Sequence, residues 1–467
     1  MAVAVIRLAA GLTLALLCGA GPARAETETL TAASAKPAEA LLGSMGVVTH
    51  FGFYGTPYTD RYDAVRNKLV ALGIRRVRDM INEHIADLAD HGITTTLLAD
   101  PKQDAPEAVR DQVKRLNQTQ RAIDAVEGPN EPDGFWSMLH ISYQGKGYPD
   151  GSVQYQKDLY RVLKADPETS SLPVIGTALG LAGMPTAKPV RAMFGLWQYA
   201  DLGNFHPYPF GGNDAGPAEP YGGLRAFYRA GTFPSVNLVV AQGAYRAVGP
   251  IYGNRPMAAT ETGYPTDIHH TAEALQAKYI PRVYAEYFRL GIKPIFVYQF
   301  LDHQYDPKNE DPESAFGLLR YDLSERPAYV ALRDFIHALG PPEEGRCAPP
   351  PPNLRLTLSL AGAGSFDDVS HVHHLLLRRA DGALLLLLWD EVSGDDASTD
   401  PHIPVAVPAL PATLRTNRTV RAAIHTIGDA AGGFSVSDTF RFGVPDAITF
   451  VTLCGQQAME ATGESYP

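Results

Sequence analysis

The feature that most constrains this chain is a series of eight short apolar runs that alternate with polar or helix-compatible stretches. The runs span residues 46–51, 76–80, 94–99, 122–131, 173–179, 202–208, 257–263 and 294–301. Between the first two, residues 62–73 carry apolar side chains at helical spacing, and Gly73 is a stop signal. Eight short strands, each followed by a helix or a long loop, predict an α/β fold, a (β/α)8 TIM barrel, over residues 44–340.

The pattern changes after residue 340. A proline-rich connector over residues 341–353 cannot continue a helix. Seven short strand-like runs follow it, and turn residues separate some of them. This pattern predicts a small all-β sandwich domain over residues 354–467. Residues 26–43 are a polar, alanine-rich lead segment before the barrel.

The first 25 residues have the pattern of an export signal. Arg7 precedes an apolar stretch over residues 8–17, and Ala23-Arg24-Ala25 offers a small-x-small cleavage site. The alternative, a membrane anchor, needs about 20 apolar residues, which is twice the length of this stretch. We therefore expect a signal peptide over residues 1–25 and a secreted or periplasmic protein without membrane attachment after cleavage.

The charge balance argues against one class of partner. The 467 residues include 40 Lys+Arg and 51 Asp+Glu, so the formal net charge is −11. Binding of nucleic-acid phosphates requires a basic surface. We therefore expect no nucleic-acid partner.

Loss of the signal would remove Cys18 and leave two cysteines, Cys347 and Cys454. Two cysteines in an exported protein favour a disulfide, and two free thiols are the alternative. The sequence contains no Cys/His cluster with zinc spacing, and the acidic stretch 303–313 lacks the ordered spacing of a calcium loop. We expect neither a metal nor a cofactor.

Function in such a barrel lies at the C-terminal ends of the strands, so the residues that close each run are the candidates. The fourth run leads into Asn130-Glu131-Pro132, and the seventh contains Glu261. Carboxylates three strands apart can face each other across the barrel mouth. That arrangement suits glycosidic bond cleavage, in which one carboxyl protonates the departing oxygen and the other attacks the sugar. For either residue alone, a helix cap or an arginine pair is the alternative.

The pattern resembles clan A of the retaining glycoside hydrolases, a barrel superfamily that includes families 5, 39, 51 and 79. The resemblance covers the barrel, and Asn130-Glu131-Pro132 is its most specific part. It implies that Glu131 is the general acid/base, that Glu261 is the nucleophile, and that Asn130 binds the sugar 2-hydroxyl. A retaining mechanism requires the two carboxyl groups to lie roughly 5 Å apart. Families 39, 79 and 30 also carry a β-sandwich beside the barrel.

Other strand ends supply candidate binding residues. The resemblance implies that an arginine after strand two braces the nucleophile; Arg76 and Arg78 share a face, and Arg78 lies nearer the strand end. The resemblance also implies that His206, after strand six, contacts the nucleophile or substrate, and a histidine satisfied within the core is the alternative. Glu127 lies four residues before Glu131, and we expect it one layer deeper with a cationic partner.

Aromatic side chains near the mouth are candidates for stacking on sugar rings, and core packing is the alternative for each. The candidates are Phe53, Tyr54, Trp136, Tyr208, Tyr264, Tyr298 and Phe300. The clan commonly has a tryptophan at the end of strand eight, where this chain has Tyr298. Asp302 and His303 either reach the substrate or anchor the loop that follows.

Together these features predict a secreted retaining glycoside hydrolase that acts, as a monomer, on β-linked polysaccharide or oligosaccharide. The long interval 134–170 and the interval between the sixth and seventh runs favour internal cleavage. Two other functions stay open: a catalytically inactive carbohydrate-binding barrel, and a transglycosylase that uses the same two carboxylates.

Overall fold

The computed structural model describes residues 26–180, 191–208, 251–340, 347–361, 372–392, 394–396, 403–429 and 432–456. The predicted export signal lies outside these residues, as do residues 209–250 and the first half of the proline-rich connector. Within the described ranges, no helix combines the length and the apolar character that crossing a membrane requires.

Eight parallel strands form the barrel. Two short strands, β1 (Glu26–Thr31) and β2 (Lys36–Pro37), precede them. The barrel strands are β3 (Met45–Val48), β4 (Arg76–Asp79), β5 (Thr94–Leu98), β6 (Ile123–Glu127), β7 (Val174–Ile175), β8 (Gly203–Phe205), β9 (Met257–Thr262) and β10 (Ile295–Val297). They are hydrogen-bonded in the order β7-β6-β5-β4-β3-β10-β9-β8, and a bridge between Ile175 and Leu202 joins the two ends. Each predicted run overlaps one strand, so the TIM barrel is confirmed.

Helices connect the strands, and local sequence explains where some of them begin and end. The described helices are α1 (Ala38–Leu42), α2 (Pro57–Asp60), α3 (Tyr62–Leu72), α4 (Ile85–Asp90), α5 (Pro106–Leu116), α6 (Phe135–Met138), α7 (Asp150–Ala165), α8 (Glu273–Arg289) and α9 (Pro327–Leu339). The first turns of α5 and α9 contain proline, whose fixed φ suits a helix start. Helix α3 ends at Gly73, whose φ of 81° favours glycine.

A second sheet forms the β domain. Its strands are β11 (Arg355–Leu360), β12 (Val372–Arg378), β13 (Leu384–Asp390), β16 (Leu410–Thr426), β17 (Ser435–Val444) and β18 (Thr449–Cys454), together with β1 and β2; β14 (Asp395–Asp396) and β15 (Ile403–Pro404) form a separate pair. The order is β1-β11-β16-β18-β13-β12-β2, and β17 pairs with β16. A β domain after the barrel is therefore confirmed.

Strand β16 is long enough to pair with different neighbours along its length. Its first part pairs with β11 and its second part with β18, and its pairing with β17 shifts register between Arg415 and Val420. Leucines of several strands, among them Leu358, Leu386 and Leu453, belong to one buried apolar cluster of this sheet. The sequence predicted only short strands here, whereas β16 is 17 residues long, because mixed polar and apolar residues hide the strand's first half.

The lead segment, residues 26–43, contributes two strands to the β domain. Strand β1 pairs antiparallel with β11 from Glu26 opposite Leu360 to Thr31 opposite Arg355. Strand β2 pairs in parallel with β12. The lead is mostly polar because β1 and β2 are edge strands, for which burial of both faces is not needed.

The barrel and the β domain share a hydrophobic core. All residues of β13 are buried, because alternate side chains face opposite layers. Leu386 faces the interior of the β domain, whereas Leu387 and Trp389 belong to the same apolar cluster as the barrel helices. A disulfide between Cys347 and Cys454 joins the segment that precedes β11 to the last residue of β18, with Cα atoms 5.2 Å apart.

Candidate active site

Polar side chains from several strand ends meet at one mouth of the barrel. Because β3 to β10 are parallel, their C-terminal ends lie on the same face. The side chains that meet there are Arg78, Glu127, Asn130, Glu131, His206, Tyr208 and Glu261, with Tyr298 beside them.

Two carboxylates face each other across this mouth. Glu131 follows β6 with a φ of 39°, and its backbone N–H donates to the Ala178 carbonyl over 3.0 Å. Glu261 lies in β9. Carboxylate oxygens of the two residues and Nδ1 of His206 all lie within 4.8 Å of one another. A Cβ at Gly180 would lie 2.7 Å from the Glu131 carboxyl, so glycine there leaves room for the acid.

Arg78 donates hydrogen bonds to three other residues of the site. Its Nη1 donates to Glu261 over 2.7 Å, its Nε donates to Glu127 over 2.6 Å, and its Nη2 donates to Asn130 over 2.6 Å. The side chain is only 3% exposed. Burial lowers the pKa of Arg78, but the charges of Glu127 and Glu261 raise it well above its usual range. The guanidinium is therefore a permanent positive charge beside Glu261.

The other arginine of β4 lies outside the site. Arg76 pairs with Asp124, with Nε 2.5 Å from the carboxylate, and keeps a quarter of its side chain exposed. Both arginines lie on one face of the strand, as predicted, but only Arg78, which is nearer the C-terminal end, contacts Glu261.

Glu127 occupies the layer below the two facing carboxylates. It is fully buried and accepts hydrogen bonds from Arg78, from Asn204 Nδ2 over 3.0 Å and from Thr260 Oγ1 over 3.0 Å. Sequence reasoning placed Glu127 correctly beside a cation but missed Asn204 and Thr260. Strand alternation could have found Asn204, because it lies two residues before His206.

Strand alternation does not predict the position of Thr260, because β9 is irregular. Ala259 pairs with Ile295 and Thr262 with Val297, so three steps along β9 oppose two steps along β10. An extra residue of this kind re-aims the side chains next to it. Thr260 and Glu261, which are adjacent in the chain, consequently both contact the polar cluster.

His206 lies between the two facing carboxylates. Its Nδ1 is 2.5 Å from Glu131 and 3.5 Å from Glu261, and its Nε2 is 3.0 Å from Thr260 Oγ1. Burial lowers the pKa of His206, but the charges of Glu261 and Glu131 raise it above its usual value. The protonated imidazole therefore offsets the repulsion between the two acids.

Tyr208 completes the surroundings of Glu261. Its hydroxyl donates to Glu261 Oε2 over 2.8 Å, whereas Arg78 donates to Oε1. Burial raises the pKa of Glu261, but His206, Arg78 and the Tyr208 hydrogen bond together bring it below its usual range. Burial and the Glu261 charge raise the pKa of Tyr208, so the phenol stays a neutral donor.

Tyr298 follows β10 and closes the aromatic wall next to Tyr208. Their ring centroids are 6.4 Å apart, and Phe316 packs against both rings at 5.7 and 5.3 Å. His50, which the sequence analysis did not select, lies 5.7 Å from Tyr298 and stacks on Phe53 at 4.5 Å. Its position at the end of the first apolar run is the signal that could have found it.

Three predicted stacking residues are core residues instead. Trp136 is 1% exposed, and Tyr264 and Phe300 are fully buried. The short helix α6 turns Trp136 inward and leaves its neighbour Phe135 exposed. Tyr264 packs against Tyr279 of α8 at 5.2 Å. None of the three rings offers a free face to a sugar, so these predictions are wrong.

Asp302 and His303, which follow Tyr298, have different roles: one anchors the loop and the other lies at the site. Asp302 pairs with Arg326 at 2.7 Å and accepts the Gly317 N–H over 2.7 Å, so it anchors the loop. His303 lies at the site, with its ring 4.9 Å from that of His50. The predicted wall between the sixth and seventh runs falls largely on residues 209–250, outside the described residues.

Two groups of described residues have a spacing that could hold a metal ion. They are Glu131, His206 and Glu261, and Glu286, His373 and Glu391. Burial lowers the pKa of each histidine, but the neighbouring carboxylates raise it further than burial lowers it. An imidazolium has no lone pair for a metal. In each cluster the protonated imidazole therefore compensates the charge of the two acids beside it.

Comparison with known proteins gives matches in structure alone. No protein-family model matches this chain, and no curated protein matches its sequence. A family 39 glycoside hydrolase from Bacteroides cellulosilyticus WH2 is similar with 16% identity and a TM-score of 0.51, over 90% of this chain and 81% of that one. A glucosidase from Croceicoccus marinus is similar with 12% identity and a TM-score of 0.55, over 92% of this chain and 98% of that one. The fold expected from the clan A resemblance, a barrel with a β domain, is thus confirmed.

Proposed function

We propose that this protein is a retaining glycoside hydrolase in which Glu261 is the nucleophile and Glu131 the general acid/base. The observation that carries the proposal is the short distance between their carboxylate oxygens, at most 4.8 Å. Retaining enzymes have carboxyl groups roughly 5 Å apart, whereas inverting enzymes need about 6.5–9.5 Å to hold a water. The shared fold with a family 39 glycoside hydrolase and a glucosidase is consistent with this chemistry.

The surroundings of the two acids support these separate roles. Glu261 is held by a guanidinium and a phenol, which keep it ionised and ready to attack. Glu131 contacts His206 instead, at 2.5 Å. Glu131 thus has an imidazole as its neighbour, a group through which a proton can be exchanged in general acid/base catalysis.

The reaction then proceeds in two displacements. Glu261 attacks the anomeric carbon while Glu131 donates a proton to the departing glycosidic oxygen, so a covalent glycosyl ester forms and the C–O bond breaks. In the second step Glu131 takes a proton from water, and the water oxygen attacks the anomeric carbon and releases Glu261. Two inversions return the original configuration.

The substrate we propose is a β-linked oligosaccharide or polysaccharide. Asn130, held by Arg78, is the proposed partner of the 2-hydroxyl, and Tyr298 the proposed stacking surface. We propose internal cleavage, because the long segment between β6 and β7 provides a wall beside Glu131. A transglycosylase would use the same residues, whereas an inactive binding barrel would not need the two acids at this distance.

The proposed setting is extracytoplasmic. The signal-like first 25 residues and the Cys347–Cys454 disulfide both support export into an oxidising compartment. We propose that the protein acts there as a monomer on carbohydrate alone.

The proposed roles can be tested by chemical rescue. On an aryl β-glycoside that wild type cleaves, Glu261→Ala should lose several orders of magnitude in kcat, and azide should restore turnover with an α-glycosyl azide as product. Glu131→Ala should lower kcat about 10²–10⁴-fold on substrates with poor leaving groups and less on dinitrophenyl glycosides. With this variant, azide should give the β-glycosyl azide. The exposed Glu107→Gln is the control and should match wild type.

The substrate should first be found with a panel of β-glucans, xylans, mannans and galactans, with products measured by mass. Nuclear magnetic resonance of the first product should then show the β-anomer. An α-anomer as the first product, or undiminished turnover by Glu261→Ala, would contradict the proposal.

A further inference from the structure

A third carboxylate lies at the wall of the proposed active site. Glu313 belongs to a short turn (Pro312–Ser314) that follows β10. Its carboxylate accepts the Tyr298 hydroxyl over 3.2 Å, and its carbonyl accepts Gln299 Nε2 over 3.3 Å. Both donors come directly after β10, so the barrel itself holds the turn in place.

This turn is continuous with the surroundings of Glu261. The Tyr298 ring contacts the Tyr208 ring, and the Tyr208 hydroxyl donates to Glu261. Phe316, three residues after Glu313, packs against both tyrosines. Glu313 is thus one hydrogen bond and one ring contact away from the residue that binds the nucleophile.

The Glu313 carboxylate has no cationic partner among the described residues, because no lysine, arginine or histidine of these lies within 4.0 Å of it. Partial burial raises the pKa of Glu313 and the Tyr298 hydrogen bond lowers it, while the charges of Glu261, Asp311 and Glu131 raise it further. Its side chain remains solvent-exposed and open to a ligand.

The described cations near the site are committed elsewhere. Arg78 already binds Glu127, Glu261 and Asn130. Burial lowers the pKa of both His50 and His303, so these rings are neutral. The part of the subsite that the structure describes therefore has acidic groups on its open side, and its positive charges face inward.

We propose that Glu313 lines the sugar subsite beside Glu131 and Glu261 and makes it selective for neutral sugars over uronic acids. The inference rests on the proposed glycosidase function and adds the substrate class. A carboxylate accepts hydrogen bonds from sugar hydroxyls, whereas a sugar carboxylate at the same place would be repelled. Repulsion between a sugar carboxylate and Glu313 about 5 Å apart in a partly buried site should weaken the reaction of a uronic acid, relative to the neutral sugar, on the order of 100-fold.

The test compares matched pairs of substrates that differ only at C6. Wild type, Glu313→Gln and the control Glu310→Gln are assayed on 4-nitrophenyl β-glucoside against β-glucuronide and on β-galactoside against β-galacturonide. Glu310 lies in the same loop and carries the same charge, but its nearest described cation is Lys308, 4.0 Å away. We expect wild type to favour the neutral member about 100-fold in kcat/KM. Glu313→Gln should reduce that ratio at least tenfold, and Glu310→Gln should leave it unchanged.

A binding measurement separates this inference from the proposed activity. Glucose and glucuronate, and galactose and galacturonate, are titrated into the same three proteins by calorimetry. Turnover with an unchanged ratio in Glu313→Gln, or equal rates on both members in wild type, would overturn the inference and leave the glycosidase function standing. Selective binding of neutral sugars that Glu313→Gln abolishes, without turnover of any pair, would support the inference and refute the function. Absence of both binding and turnover would overturn both.

Discussion

At the residue scale, the site holds several carboxylates close together in a buried position, and positive charges beside them make this possible. Burial favours the neutral form of each acid, and neighbouring acids increase that effect. Arg78 and His206 supply the opposing charge, and each of them contacts Glu261 and one further acid. Glu261 is consequently ionised in a buried position, which is the state that a nucleophile needs.

Tyr208 offers a test of this balance. Tyr208→Phe removes the hydrogen bond to Glu261 Oε2 but keeps the ring. Loss of a hydrogen bond to a charged group costs about 1.5–3 kcal/mol, so kcat/KM should fall about 10–100-fold. Because that bond lowers the pKa of Glu261, its loss should raise this pKa and move the acid limb of the pH profile to higher pH.

The measurement is kcat/KM from about pH 4 to pH 8 on a neutral aryl glycoside. Tyr305→Phe is the control, since Tyr305 is 71% exposed. An acid limb that stays in place in Tyr208→Phe would mean that Tyr208 does not influence ionisation of Glu261.

At the scale of elements, a second buried charge cluster joins helix α8 to strand β12. His373 Nδ1 of β12 lies 2.9 Å from Glu286 of α8 and also contacts Glu391, which follows β13. Arg289 pairs with the same Glu286 at 2.8 Å, and the Trp389 ring lies edge-on to His373 at 5.7 Å. The cluster therefore lies where the barrel and the β domain meet.

This contact should make stability depend on pH. Burial lowers the pKa of His373, but Glu286 and Glu391 outweigh burial and raise it from 6.5 to about 9. A histidine whose pKa is higher in the folded state stabilises that state fully below pH 6.5, and the contribution is lost as the pH rises through 9. The free energy of unfolding should therefore decline between about pH 6.5 and pH 9.

His373→Gln leaves two buried acids without the imidazolium and should lower the free energy of unfolding by about 3–5 kcal/mol. The decline with pH should also flatten in this variant. His374→Gln, at the next position of β12, is the matched control and should keep the wild-type slope. Urea midpoints of wild type across this range test the slope even if His373→Gln does not fold, and a flat profile would refute the prediction.

At the scale of the whole molecule, the two domains form one structural unit. Phe335 of α9 packs against Phe450 of β18 at 5.7 Å, and one face of β13 is buried against the barrel helices. Residues 26–31 extend back to pair with β11, so the chain on both sides of the barrel belongs to the β domain. A shared core of this kind should make the barrel and the β domain unfold together.

The disulfide should strengthen this unit. It joins residues 107 apart in the sequence, and a closed loop of that length is worth about 4–5 kcal/mol in the chain-entropy description. Reduction should lower the denaturation midpoint while leaving a single transition in both near- and far-ultraviolet circular dichroism. The Cys347→Ser/Cys454→Ser double variant should show the same lower midpoint and no response to reductant. Two separate transitions in the oxidised protein would refute the shared unit.

Much of this architecture could be predicted because it rests on local patterns. Apolar runs of strand length and the helical stretches between them depend only on residues that are neighbours in the chain, and these patterns located the barrel. The clan A resemblance pointed to Arg78, and the four-residue spacing from Glu131 placed Glu127 one layer deeper. The errors at Trp136, Tyr264 and Phe300 have a common origin, since a ring near a strand end can turn to the mouth or to the core, and the sequence pattern is the same for both.

The sequence by itself determined the type of each barrel strand, the order of the elements and the two acids at strand ends, because these depend on residues a few positions apart. Only the tertiary structure decided that β1 joins the β domain, that His206 lies between Glu131 and Glu261, that an irregular β9 aims Thr260 and Glu261 into one cluster, and that Glu313 stands beside them. The physical reason is that these contacts join residues that are often 50 to more than 300 positions apart. Their geometry is set by strand register, barrel closure and packing, which no local pattern specifies.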